Sequence, residues 1–261
     1  MRYTLIIRWL FLFLCILAVL AFAFSPGSLT EKLFAIAYGL DPQRPSHTYF
    51  LAGMQLPLEA RKLGMFGGFL ITYLSLLAAG HTRAASFPPR RITALLVAFI
   101  AIMGLDGLNA TLFDLGLPHL YAPDLRLRLG TGLLAGVAMA GLLLPALNGS
   151  LWREIRLIPA LASGREIGGA LLLAAAFFLL VDARPAILYY PIGILGVTGL
   201  VVELTLINLI FVLVLARRVG MASGAWDVLP PALAALALTM GELILMSIVR
   251  YVTLGDITSL M

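Results

Sequence analysis

The chain has 261 residues, of which 61% are hydrophobic and only 12% charged, and its mean hydropathy is +1.02. A water-soluble domain carries about twice that share of charged residues, so composition excludes one. The net charge of +5 comes from 16 Arg and 2 Lys against 13 acids; the basic residues sit between apolar runs rather than along one stripe, which excludes a nucleic-acid surface.

A hydrocarbon core about 30 Å thick takes roughly 20 apolar residues per helical crossing. Seven runs serve: 5–24, 63–80, 92–112, 129–147, 167–181, 188–215 and 228–250. A barrel would alternate at period two in strands of about 10 residues. These runs are unbroken, so the predicted fold is all-α: a polytopic transmembrane helical bundle of about seven spans in one membrane domain, 1–261. Within it, 1–24 is the first span and 25–62 an external segment. Spans two to four occupy 63–147, and spans five to seven occupy 148–261.

The first run is read as a retained helix. Ala21-Phe22-Ala23 resembles a signal cleavage site, but the apolar stretch is long for a signal core. Cys15 inside it is the sole cysteine, so neither an intramolecular disulfide nor a cysteine metal site can form. With the N-terminus cytoplasmic, the shorter inner segments hold ten of the eighteen basic residues, among them Arg83, Arg90, Arg91, Arg153, Arg156 and Arg165. That bias fits the positive-inside rule and puts the C-terminus outside. The predicted location is a prokaryotic cytoplasmic membrane.

Ser25-Pro26-Gly27 ends the first span with turn chemistry. Residues 28–40 then read as a short interfacial helix, with Ser28 and Glu31 at capping-box spacing. Its Leu33, Phe34, Ile36 and Ala37 are expected to face the bilayer. The inner loop 148–166 is expected to hold a surface helix anchored by Trp152. Pro191 either kinks the sixth run or marks its true start. Gly64, Gly67, Gly68, Gly132, Gly136, Gly141, Gly193, Gly196 and Gly199 recur along the spans, and small residues there allow close helix contact.

Charged groups at membrane depth face protein or water rather than lipid. Three acids lie at that depth: Asp106, Glu203 and Glu242. Asp106 and Asn109 are three apart and share a helix face. Glu203 follows Gly199 by four residues, which aims it along the glycine seam. At the outer ends of spans two to four the topology gathers Gln43, Glu59, Arg61, Lys62, Asp106, Asn109, Arg126, Arg128 and Thr131. Structural salt bridging and a binding site both fit this cluster. His47, His81 and His119 fall in loops, so no axial haem ligand is expected inside the bundle. No metal-ligand spacing, phosphate loop or nucleophile elbow is present.

The segment from Asp41-Pro42-Gln43-Arg44-Pro45-Ser46-His47 to Gln55-Leu56-Pro57-Leu58-Glu59-Ala60-Arg61-Lys62-Leu63-Gly64 resembles a family of small bacterial and archaeal membrane proteins of unknown function. Their signature is Cys-His-Gln, Arg-Ser-Phe, then Gln-Leu-Pro-Leu-Cys-Ala-Arg-Cys-Thr-Gly opening a helix. An Asp-Gly in a helix follows, and an Arg before a Thr-Gly that opens the next. Gln43, Ala60, Arg61, Gly64, Asp106, Gly107, Arg128, Thr131 and Gly132 keep the pattern over about residues 35–147. Asp41-Pro42 replaces the Cys-His pair, His47 the second-block Arg, and Glu59 and Lys62 the two cysteines. The resemblance implies metal or thiol chemistry in the family that is lost or changed here. An ion pair between Glu59 and Lys62 is expected to take over the structural part.

The leading expectation is a non-catalytic accessory or scaffold subunit of a larger membrane complex, with membrane lipids and other membrane subunits as partners. No nucleic acid and no cofactor is expected; bound lipid is the candidate ligand. One alternative is a membrane enzyme or lipid-binding protein using Arg61, Asp106, Asn109 and Arg128. Another is a small transporter using Glu203 and Glu242.

Overall fold

Six long helices arise where the apolar runs lie; five extend a few residues beyond their run at one end or both, and the helix of run 188–215 keeps within it. The computed structural model describes residues 24–254, together with Phe13. Apart from Phe13 and Phe24, the first predicted span, Cys15 included, lies outside the described residues. In chain order the helices are α1 Leu29–Tyr38, α2 Ala60–Ala78, α3 Arg90–Asp114, α4 Leu125–Leu151, α5 Gly164–Asp182, α6 Tyr189–Leu215 and α7 Ala225–Leu254. Two short strand pairs join them: β1 Phe50–Leu51 with β2 Met54–Gln55, and β3 Ala84–Ser86 with β4 Arg156–Pro159.

The chain is mostly helical, and five described helices are long and apolar enough to cross a membrane: α3, α4, α5, α6 with its preceding 3-10 turn, and α7. That composition supports a multi-pass membrane protein. Helix α2 is not among the five. Arg61 and Lys62 stand in its first turn and three glycines follow, which dilutes its hydropathy. It is nonetheless the central helix, packed between α4 and α6.

Glycines let α2 approach both neighbours at backbone contact. A Cβ on Gly132 would strike the Arg61 carbonyl, and one on Gly136 the Met65 carbonyl. In return, a Cβ on Gly64 would strike the Leu129 carbonyl. On the other side, a Cβ on Gly199 of α6 would meet the Phe66 carbonyl. These seams fix the register of three helices without large side chains between them.

The capping box forms as the spacing predicts: Glu31 N donates to Ser28 Oγ at 3.2 Å and Ser28 N to Glu31 Oε2 at 2.7 Å. Helix α1 corrects the expected bilayer-facing surface. Leu33 and Ala37 are buried and Ile36 packs on the same core, because α1 folds back onto α6 and α7. The loop 148–166 is corrected as well. No surface helix forms between Leu151 and Gly164; α4 runs to Leu151 and β4 pairs in parallel with β3 of the α2–α3 connection. Trp152 is held inside this junction by Asn148 Oδ1 at 3.1 Å and by the Arg83 guanidinium 4.9 Å from its ring. Pro191 is the third residue of α6 and marks its start, where a missing N–H costs nothing.

Candidate functional site

The segment between α1 and α2 carries the first knot of polar groups. Ala52 and Gly53 both take positive φ, 52° and 78°, closing the β1–β2 hairpin in the turn whose twist matches its strands. Asp41 is fully buried and accepts from Gln43 N at 2.7 Å and Glu59 N at 3.0 Å. Burial pushes the Asp41 carboxyl up, against the pull of Lys62. Lys62 Nζ lies 3.8 Å from Asp41 Oδ2 and donates to the Leu40 carbonyl. Gln43 Nε2 donates to the carbonyls of Phe34 and Pro57, at 2.9 and 3.2 Å. Gln43 therefore braces the segment and contributes nothing to the cluster on α3 and α4.

A second knot ties this segment to the ends of α3 and α4. Glu59 Oε1 receives Arg44 Nε at 3.0 Å and Arg44 N at 3.2 Å, with His47 Nδ1 at 3.6 Å. Burial acting alone would raise the Glu59 carboxyl; the His47 and Arg44 contacts overcome it and hold the group at about 2. The expected Glu59–Lys62 pair is thus corrected. Each side chain finds a partner earlier in the chain, Glu59 in Arg44 and Lys62 in Asp41. Arg44 Nη1 also reaches Asp114 Oδ2 at 3.1 Å, and His47 Nε2 stands 3.6 Å from Asp114 Oδ1. Arg128 Nη2 approaches His47 Nε2 at 3.3 Å.

The third knot joins α2, α3 and α4. Asp106 Oδ2 receives Arg61 Nη2 at 2.6 Å and Thr131 Oγ1 at 3.2 Å, while Oδ1 receives the Tyr121 hydroxyl at 2.8 Å. Asn109, one turn on, organises the α3–α4 loop. Its Oδ1 accepts from Leu120 N at 2.8 Å and its Nδ2 donates to the Tyr121 carbonyl at 2.9 Å. Arg61, Asp106, Asn109, Arg128 and Thr131 thus converge on one end of the bundle. Arg126 points elsewhere, to Asp182 at 2.9 Å.

Four members were not singled out from the sequence: Arg44, Asp114, Tyr121, and His47 as an Arg128 partner. Asp114 had a local signal, since it stands on the Asp106–Ala110 ridge of α3 at four-residue steps. The others depend on how two loops close. Among the described residues, no three His, Cys, Asp or Glu side chains are grouped to hold a metal ion.

Glu203 and Glu242 do not meet this cluster. Glu242 Oε2 accepts from Asn208 Nδ2 at 2.7 Å, and Asn208 also reaches Thr239 Oγ1 at 3.0 Å. Glu203 is buried on the α2-facing side of α6, and neither carboxylate oxygen has a hydrogen-bond partner among the described residues.

No curated protein and no solved structure matches the chain. Residues 42–142 match a family model described as "Predicted membrane protein (DUF2085)". The matched stretch contains the second and third knots and the Gln43, Pro57, Glu59 and Lys62 side of the first, with Asp41 just before it, and it supports kinship with an uncharacterised membrane-protein family over α2, α3 and most of α4.

Proposed function

We propose that this chain is a non-catalytic accessory or scaffold subunit of a larger complex in a prokaryotic cytoplasmic membrane. It crosses the bilayer about seven times, counting 5–24 and α2, with its N-terminus inside. The observation that carries the reading is that the chain's own donors take up every carboxylate of the cluster: Asp41, Glu59, Asp106 and Asp114. A carboxylate spent on a salt bridge fixes helix positions and is poorly placed to act as a general base. Where the family signature has cysteines, this chain has a charge clamp, which reproduces a mechanical link and supplies no nucleophile or soft ligand.

Helices α3 and α7 add support. Only 22% and 17% of their apolar windows are buried within the chain, which leaves long faces for lipid or for other membrane helices. The test is purification of the tagged chain in a mild detergent, followed by native mass spectrometry. A scaffold subunit carries a second membrane polypeptide at fixed stoichiometry. Recovery of the isolated chain alone, from its native host at native expression, would defeat the proposal.

A further inference from the structure

Three guanidinium groups, Arg44, Arg61 and Arg128, and the imidazole of His47 meet three carboxylates at the shared end of α2, α3 and α4: Glu59, Asp106 and Asp114. The pairing is uneven. Arg44 holds both Glu59 and Asp114. Arg61 takes Asp106, which also accepts from Tyr121 and Thr131. Arg128 is left over: among the described residues no carboxylate lies within ion-pairing reach of it.

Its contact is instead the ring nitrogen Nε2 of His47. A guanidinium can only donate and an imidazole is never an anion, so His47 offers Arg128 a polar contact and no counter-charge. Arg128 is only 5% exposed, and it lies in the first turn of α4, where the helix end is itself positive. Arg61 and Arg44 stand near enough for their guanidinium charges to repel it, and Asp114 and Glu59 offset part of that from beyond ion-pairing distance. Arg61 Nε is buried with no acceptor. A buried cation in such surroundings is costly unless an anion joins it.

We propose that Arg128, together with the unpaired Nε edge of Arg61, holds the phosphate group of an anionic membrane lipid. Planar guanidinium forks match phosphate oxygens in pairs. Depth favours lipid as the source. Arg128 immediately precedes the apolar run 129–147, and Arg61 stands two residues before 63–80, so both lie at headgroup level. Leu127 next to Arg128, and Leu115, Leu117 and Leu120 in the α3–α4 connection that Asn109 holds, are exposed, Leu120 to 91%, an apolar apron for acyl chains. The inference shares the bilayer setting of the proposed function and needs no partner subunit.

The full-length protein is stripped of lipid in a neutral detergent and titrated in mixed micelles with dioleoyl phosphatidylglycerol. Diacylglycerol and inorganic phosphate form separate arms, read by thermal shift and by native mass spectrometry. Phosphatidylglycerol should bind and raise the melting temperature, diacylglycerol should not, and phosphate at equal concentration should act far more weakly. Equal action of phosphate and lipid would keep the phosphate site and overturn the lipid source. Arg128→Ala should weaken phosphatidylglycerol about ten-fold or more, as loss of a charge-assisted pair does. Asp114→Asn frees Arg44 and should tighten binding, a gain that misfolding cannot imitate. Equal retention by wild type, Arg128→Ala and Asp114→Asn overturns the proposal, as does failure of wild type to bind either phosphate probe. Absence of a co-purifying subunit would leave these outcomes unchanged.

Discussion

Arg61 and Asp106 meet at 2.6 Å, and through that contact the central helix α2 grips α3 at the end where both leave the apolar layer. The same carboxylate holds Tyr121 and Thr131, so one side chain fastens α2, α3, α4 and the loop between the last two. Removing one partner of a buried pair strands the other charge. Asp106→Asn is expected to cost about 3 kcal/mol, measured by thermal or denaturant unfolding in detergent. Arg61→Met combined with Asp106→Leu should recover much of that loss. An Asp106→Asn protein as stable as wild type would show the contact to be idle.

The glycine seam supplies a sharper contrast. Gly132 lies against the backbone carbonyl of Arg61, so an added methyl must push α4 away from α2 and drag the Arg61 side chain off Asp106. Gly132→Ala should destabilise by about 3 kcal/mol, at the upper end for overpacking because backbone cannot yield as a side chain does. Gly104 in α3 has no neighbour within 4 Å of such a methyl. Gly104→Ala should be neutral or stabilising by up to about 1 kcal/mol through helix propensity. Melting temperatures of the two variants measured side by side decide the point; equal shifts would mean the seam is loose.

Acid should open the α1–α2 segment. The Glu59 carboxyl is held at about 2 in the folded chain. An unfolded Glu titrates near about 4.3, so the unfolded state binds more protons across that window. The Glu59 contribution is therefore complete above the unfolded value and drains away as pH falls towards 2. Asp41, raised by burial, carries the opposite sign: its contribution is present in acid and lost as pH rises through the folded value. Protection factors over residues 41–59, each referred to the intrinsic exchange rate at its own pH, should fall from pH 7 to pH 3 in wild type. In Glu59→Gln that fall should vanish, and any slope left should show tighter protection in acid. Uniform protection in wild type would sink this assignment.

What the sequence made legible was local. Helix spans followed from uninterrupted apolar length, the Ser28–Glu31 cap from spacing, and the Asp106–Asn109 face from helical period. The glycine seams were legible because lipid offers no hydrophobic drive that would hide their purpose. What escaped was long-range pairing. Glu59 and Lys62 looked like mutual partners at i,i+3, yet residues 15 and 21 positions earlier claim them. The β3–β4 pairing joins Ala84 to Arg156, and strands this short carry no alternation to announce themselves. Helix α1 misled because amphipathicity tells which face is apolar and not whether lipid or protein covers it.

Substitution at Glu203 separates a packing residue from a working one. Its carboxylate oxygens are buried in α6 without a hydrogen-bond partner among the described residues, one turn past the Gly199 contact with α2. An unpartnered buried polar group costs about 1–3 kcal/mol, and an apolar residue of like size removes that cost. Glu203→Met should therefore raise the melting temperature. Glu242 has Asn208 at 2.7 Å, so Glu242→Met should lower it. The transporter alternative requires the reverse value for Glu203: a pH-dependent flux in vesicles, lost in Glu203→Gln whatever its stability. Natural chains keep a destabilising acid at membrane depth when it has a task. A stabilised Glu203→Met protein that has also lost a measurable flux would move this residue from the packing to the mechanism.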